Sequence, residues 1–276
     1  MFLSHISEIK KETSFTTLPQ YNNKKIVVNN NGYWIVSNVC PHQRSLISIE
    51  AGIGNRTCPL HSWAFSPSGA ARSSGRTEDY CKNTAQLEST KAFKWKDMLF
   101  SVPVDFDIGL DFSSVSLVER RIDRVKANYV SIMDLFLDVD HIPSVHQGVY
   151  DQVGLSDISV NWQYRDYGSA QIVNTGDRAA WIAIYPYTMI EWQNGFLFIT
   201  VAKPDLDTRL TDVHIFKYKT LMDDSVNWKL NETVWETAWA QDKEQATRIV
   251  EQADDNLEPQ KLHFRDFLKT HAITQG

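Results

Sequence analysis

The sequence predicts an α+β protein, with an N-terminal all-β module over residues 1–115 and an antiparallel-sheet domain carrying helices over residues 116–276. Three observations lead there. Short apolar runs separated by Asn, Gly, Pro and Ser clusters fill the first part. One stretch of helical periodicity then precedes a block of strand-like runs. Helical patterns return only after those strands, so strands and helices do not alternate as they would in a doubly wound fold.

In order along the chain, Lys25-Ile-Val-Val and Tyr33-Trp-Ile-Val flank Asn29-Asn-Asn-Gly32, a strand–turn–strand signal in which Gly32 can supply a positive φ. Two loops follow, around Cys40 and Cys58, and then a polar stretch from Ser66 to Thr77. Long loops in a compact β module usually bind something or are disordered. Ser116-Leu-Val-Glu-Arg-Arg-Ile reads as a strand or a linker. From Ala127 to Asp138, Val130, Met133 and Leu137, with Ile132 and Phe136, recur at helical spacing. Strands are then expected at Ile158-Ser-Val-Asn-Trp, Ala180-Trp-Ile-Ala-Ile-Tyr, Thr188-Met-Ile-Glu-Trp, Phe196-Leu-Phe-Ile-Thr-Val and Val213-His-Ile-Phe-Lys-Tyr. Asn194-Gly195 is a strong hairpin signal between two of them. Helices are expected from Val234 to about Asp254 and from Glu258 to Thr270. No internal repeat or low-complexity tract is evident.

Composition narrows the function classes. With 276 residues, 42% hydrophobic and 22% charged, the chain is long enough for two domains and ordinary for a globular protein. A net charge of -6 argues against a nucleic-acid partner, which would need a basic face. Three cysteines, Cys40, Cys58 and Cys81, are too few and odd in number for a disulfide scaffold, so a cytoplasmic protein is expected. The N-terminus lacks a signal-peptide pattern, and no run approaches the ~18 apolar residues that a membrane span needs. The aromatic residues mostly imply core packing.

Two constellations carry chemistry. Cys40-Pro-His42 and Cys58-Pro-Leu-His61 each offer a thiolate and an imidazole on a loop, with fifteen residues between His42 and Cys58. Four such ligands suit a tetrahedral Cys₂His₂ zinc site. They equally suit a two-iron, two-sulfide cluster with the cysteines on one iron and the histidines on the other. Zinc fingers usually pair Cys with Cys and His with His, whereas each loop here is mixed. The pattern C-x-H … C-x2-H resembles the Rieske family closely. Gly52 lies between the loops, and Cys58-Pro-Leu-His-Ser-Trp-Ala-Phe-Ser-Pro-Ser-Gly69 stands where that family shows C-P-x-H-G-W-x-F-x-x-x-G. Ser62 replaces the usual Gly, and Gln43-Arg44-Ser45 stands where Arg-Gly is common. By the resemblance Cys40, His42, Cys58 and His61 hold a Rieske [2Fe-2S] cluster, and Cys81 is a plain thiol.

The second constellation is Asp138, His141 and His146. Asp138 and His141 are three apart and share a helical face, but His146 lies about 140° further round an ideal helix. Pro143 would break or kink the helix and let the second imidazole swing toward the first. The segment Leu135-Phe-Leu-Asp-Val-Asp-His-Ile-Pro-Ser-Val-His146 resembles the D-x2-H-x4-H of Rieske non-haem iron oxygenases, most of all their monooxygenase and O-demethylase branch. Leu135 replaces that branch's frequent Asn. The resemblance implies that His141 and His146 bind a mononuclear Fe(II), and that Asp138 bridges to a cluster histidine of the neighbouring subunit, here His61. A facial triad needs a third, anionic ligand late in the chain. Candidates are Asp242, Glu244, Glu251, Asp254 and Asp255. Gln241-Asp-Lys-Glu244 resembles the family segment and favours Asp242, and Glu251-Gln-Ala-Asp-Asp-Asn is a competing match through Asp254 or Asp255.

The family resemblance implies a helix-grip catalytic domain and a terminal oxygenase that activates O₂ and hydroxylates, or oxidatively demethylates, a small organic substrate. It also implies a separate NAD(P)H-dependent reductase, with or without a ferredoxin, and a homotrimer. Trp162, Tyr185, Tyr187, Met189 and Trp192 are the expected pocket residues, with strand alternation pointing half of them inward. Two other classes compete. One is a Rieske ferredoxin-like electron carrier or ligand-binding protein without the mononuclear iron, the other a zinc-stabilised binding module.

Overall fold

The computed structural model describes residues 1–74, 86–154, 160–173, 179–193, 195–205, 210–221, 227–249 and 257–271. Cys81, Asn194, Glu251, Asp254 and Asp255 lie outside the described residues. The chain divides into two compact units, Phe2–Val104 and Asp105–Gly276.

The first unit is built from β1 (Phe2–His5), β2 (Ser14–Thr17), β3 (Lys25–Asn29), β4 (Tyr33–Ser37), β5 (Gly52–Ile53), β6 (Arg56–Thr57), β7 (Trp63–Phe65), β8 (Ala71–Ser74), β9 (Ser89–Lys91), β10 (Phe93–Trp95) and β11 (Met98–Phe100). They form three antiparallel sheets, ordered β5-β2-β3-β4-β9, β6-β7-β8 and β1-β11-β10. The expected β3–β4 hairpin is present, with Asn29 opposite Tyr33 and Gly32 at φ +114°, a conformation that side chains resist. Alternation along β3 divides the core. Ile26 and Val28 pack with Cys40, Cys58, Trp63 and Phe65, whereas Val27 turns to Leu3, Ile9 and Leu99.

The second unit is a seven-stranded antiparallel sheet gripped by helices. Its elements are β12 (Val115–Val125), α1 (Tyr129–Leu137), α2 (Ile142–Val145), β13 (Val160–Arg165), β14 (Gly168–Val173), β15 (Ala179–Ile184), β16 (Thr188–Gln193), β17 (Phe196–Asp205), β18 (Leu210–Thr220), α3 (Trp228–Ala246) and α4 (Pro259–Thr270). The sheet order is β12-β18-β17-β16-β15-β14-β13. Met189, Phe198, Val213 and Ile215 on one face pack against Val130, Met133 and Leu137 of α1, Trp235 and Trp239 of α3, and Phe264 and Leu268 of α4. This is the expected α+β arrangement, an antiparallel sheet with the helices laid on one face.

The Ser116 segment, expected as a strand or a linker, is the edge strand β12. Two elements differ from expectation. The helix expected from Val234 begins at Trp228, because the Asn227 side chain accepts the Leu230 N–H at 3.0 Å and caps it there. Strand β14 pairs with β13 and β15 although no apolar run announces it. No helix among the described residues is long and apolar enough to cross a membrane.

Candidate functional site

In the second unit, α1 ends at Leu137 and Asp138 leaves it in an extended conformation. The Asp138 carboxylate accepts the Asp140 N–H at 3.0 Å, which turns the chain. His141 then opens α2 and His146 closes it. The expectation of one helix broken at Pro143 is therefore corrected. The helix stops at Leu137, Asp138 and His141 share no helical face, and Pro143 sits in the first turn of the second helix, where its missing N–H costs nothing.

This turn and α3 bring His141, His146 and Asp242 together. The two Nε2 atoms are 3.0 Å apart, and they lie 3.3 and 3.0 Å from Asp242 Oδ1. His141 Nδ1 donates to the Asp138 carbonyl, and His146 Nδ1 lies 2.8 Å from Gln241 Oε1. A carbonyl can only accept, so the ring protons sit on Nδ1 and both Nε2 atoms present lone pairs. Asp242 Oδ1 is buried and accepts no hydrogen bond. Three lone-pair atoms at this spacing repel one another unless a cation lies among them.

The donor set fits a first-row divalent ion. Bonds of about 2.1 Å at right angles span ligand edges of about 3.0 Å, whereas tetrahedral angles require about 3.4 Å. The observed edges match one face of an octahedron, which leaves further positions open. Asp242 reaches the site because it continues the buried stripe Asn231, Val234/Trp235, Ala238/Trp239 at helical spacing. Glu244 points away, and its carboxylate pairs with Arg248. Of the expected pocket residues, Tyr185 and Met189 belong to the inner, helix-facing core, with Tyr187 and Trp162 packed against it. Trp192 does not join them. Alternation sends it to the opposite face against Phe112, ring centres 5.0 Å apart, and turns Glu191 inward instead.

In the first unit, the Cys40 and Cys58 loops are two copies of one turn. Cys40 N–H donates to Ser45 O and Arg44 N–H to Cys40 O, at 2.8 and 2.9 Å. Cys58 N–H donates to Trp63 O and Ser62 N–H to Cys58 O, at 2.7 and 2.9 Å. Arg44 and Ser62 both take φ +60°, the left-handed conformation that favours glycine. The thiols face the core and are unbridged. Burial pushes the Cys40 thiol up, with Cys58 beside it adding to the rise and the His42 backbone N–H opposing it. The imidazoles lie further out, ring centres 4.6 Å apart, and His42 stacks on Trp63 at 5.0 Å.

His42 Nδ1 is buried without a hydrogen-bond partner, as a ligand atom awaiting a metal would be. A single tetrahedral zinc would hold its ligand atoms about 3.3–3.8 Å apart. Among the described residues, only His141, His146 and Asp242 bring three ligand atoms within 4.8 Å of one another. The wider spread of Cys40, His42, Cys58 and His61 fits a cluster with two irons, thiolates inward and imidazoles outward.

A double Cys/His loop in one unit suits an iron–sulfur cluster, and a facial His–His–Asp set in a helix-grip unit suits a mononuclear iron. Residues 1–88 match the Rieske [2Fe-2S] domain family. Putrescine 2-hydroxylase of Ralstonia nicotianae is 22% identical, over 74% of this chain and 65% of that relative. The chain thus spans less than two thirds of the length of that curated relative. The quaternary ammonium Rieske monooxygenase CntA in complex with L-carnitine superposes with a TM-score of 0.73 at 16% identity, covering 99% of this chain and 87% of that one. Naphthalene 1,2-dioxygenase with indole bound gives 0.66 at 16% identity, covering 93% and 77%. The chain thus carries a Rieske domain over residues 1–88 and shares the fold of Rieske oxygenases along nearly its whole length.

Proposed function

We propose that this chain is the terminal oxygenase component of a Rieske system and that it hydroxylates a small organic substrate: R–H + O₂ + 2 e⁻ + 2 H⁺ → R–OH + H₂O. Hydroxylation beside N or O would end in dealkylation. The observation that carries the reading is the convergence of two neutral imidazoles and one carboxylate on an open octahedral face. Cys40, His42, Cys58 and His61 would hold the [2Fe-2S] cluster, and His141, His146 and Asp242 the mononuclear Fe(II). Bound there, iron supplies reductive activation of O₂, with electrons delivered through the cluster.

The chain's own residues do the rest. Asp242 would contribute a single negative charge beside two neutral imidazoles, so a bound divalent ion would keep a net positive charge. Gln241 and the Asp138 carbonyl fix both ring tautomers. Tyr150, edge-on to His146 at 5.6 Å and to Trp181 at 6.1 Å, walls the site with apolar surface that excludes water. Asp138 lies one residue beyond the end of α1 and stands as the bridging acid toward His61 of a neighbouring subunit in a homotrimer. Electrons come from a separate NAD(P)H-dependent reductase, with or without a ferredoxin, in the cytoplasm. The hydroxylase and monooxygenase relatives favour single-oxygen insertion over ring cis-dihydroxylation.

Metal analysis with substrate-dependent O₂ uptake tests the reading. A brown protein with about three irons and about two acid-labile sulfides per chain is expected. About two irons would leave a Rieske electron carrier, and zinc alone would remove the cluster as well.

A further inference from the structure

The inner face of the seven-stranded sheet carries a carboxylate that the metal site does not use. Glu191 lies on β16, with Trp181 of β15 and Phe198 of β17 as its cross-strand neighbours. Its Oε1 accepts the Trp235 indole N–H at 2.9 Å, and the Trp181 side chain bonds it as well. Trp235 stacks on Phe198, ring centres 4.9 Å apart and 8° from parallel. Two neutral donors thus hold the carboxylate in place, and neither supplies a positive charge.

Among the described residues no lysine or arginine pairs with it. Lys217 sits over the Trp235 ring, but its ammonium is engaged by Glu119, Glu232 and Glu236 at 2.6, 3.1 and 2.5 Å. Glu191 lies deep among protein atoms yet keeps some accessible surface. One aromatic ring separates it from the His–His–Asp set. Tyr150 packs edge-on against both His146 and Trp181, and the Asp242 carboxylate lies close enough for Glu191 to feel its charge. Burial pushes the Glu191 carboxyl up to about 7, with Trp235 opposing and Asp242 reinforcing the rise. Buried charges are normally paired, and aromatic walls attract cations.

We propose that Glu191 is the counter-charge for a positively charged substrate, so that this site takes an alkylamine or another ammonium compound with its cationic group against Glu191 and its carbon chain toward His141, His146 and Asp242. The substrate class rests on the oxygenase reading, whereas the ammonium site itself does not.

Anaerobic calorimetric titration of the holoenzyme with n-butylammonium, 1-butanol and butyrate tests this. The three probes match in length and differ in charge. The cation is expected to bind at least ~10-fold more tightly than the alcohol, and butyrate more weakly than either. Glu191→Gln keeps an acceptor for the indoles and should erase the preference, while Glu191→Asp should keep part of it. Equal binding of cation and alcohol, no binding of the cation, or full preference in Glu191→Gln each overturns the proposal. If Glu191→Gln fails to fold, the wild-type ranking alone decides. Iron content of the same preparation separates the two readings: charge preference without mononuclear iron would remove the oxygenase and leave the ammonium site standing.

Discussion

Lys261 clamps Asp138: the ammonium of α4 lies 3.0 Å from Asp138 Oδ2 and 3.0 Å from Glu258. All three oxygens of Asp138 are thereby engaged. Oδ1 takes the Asp140 N–H, Oδ2 takes Lys261, and the carbonyl takes the His141 ring. One residue thus ties the end of α1 to the His141 imidazole and to a helix more than a hundred positions away. Lys261 is nearly buried, so its loss leaves a carboxylate without its cation.

We expect Lys261→Met to lower turnover about tenfold or more while leaving iron content unchanged, and to cost about 1–3 kcal/mol of stability. Lys261→Arg should restore most of the rate. Cluster re-oxidation followed by stopped flow separates the roles. A variant that is merely less stable would re-oxidise at the wild-type rate.

Asp242 and Gln241 give a sharper test of the mononuclear site. Asp242→Ala should remove about one iron per chain and leave sulfide content and cluster colour intact. Gln241→Leu removes the acceptor that orients His146 and should weaken iron binding by about 10–100-fold. Glu244→Gln, on the outward side of α3, should change neither. Iron retained in full by Asp242→Ala would return the third-ligand role to Asp254 or Asp255.

The sequence carries part of this site more openly than its motifs suggest. Asp242 continues the apolar stripe of α3, so periodicity alone separates it from Glu244. The run Phe106-Asp-Ile-Gly-Leu-Asp-Phe112 buries every second residue, an alternation plain in the sequence, although it joins no sheet. The inward turn of Glu191 follows from strand parity once Met189 is placed in the core. Lys261 on Asp138 and Gln241 on His146 are different. They are contacts between distant segments, set by how α3 and α4 lie across the sheet, and no local pattern encodes them. Pro143 misled because a proline that opens a helix and one that breaks a helix look alike until the end of the preceding helix is known.

Ser62 occupies a left-handed position where the related pattern has glycine. An L-residue there costs about 1 kcal/mol or more relative to glycine. Ser62→Gly should therefore stabilise the first unit by about 1 kcal/mol, read as a raised melting midpoint of the cluster's visible absorbance. An unchanged or lowered midpoint would mean that the Ser62 hydroxyl offsets the strain through the cluster.

Acid should destabilise the second unit through His214. This residue lies on β18 between Val213 and Ile215, which face the helices, so its own ring turns to the opposite face, where it is buried. Its Nδ1 has no hydrogen-bond partner. Burial pushes the imidazole down to about 4, helped by Lys203 and Arg120 and opposed by Asp212. The unfolded chain binds its proton near the ordinary value of about 6.5, so between about 6.5 and 4 the unfolded state holds more protons than the folded one. The stability this residue contributes is therefore fully present above pH ~7 and drains away as pH falls, by about 3 kcal/mol at pH ~4. His214→Leu fills the same space without a titrating group and should flatten that part of the profile. Urea unfolding followed by tryptophan fluorescence at pH 7, 6, 5 and 4 reads the difference between the two proteins. Parallel curves would mean that the ring is already protonated in the folded state.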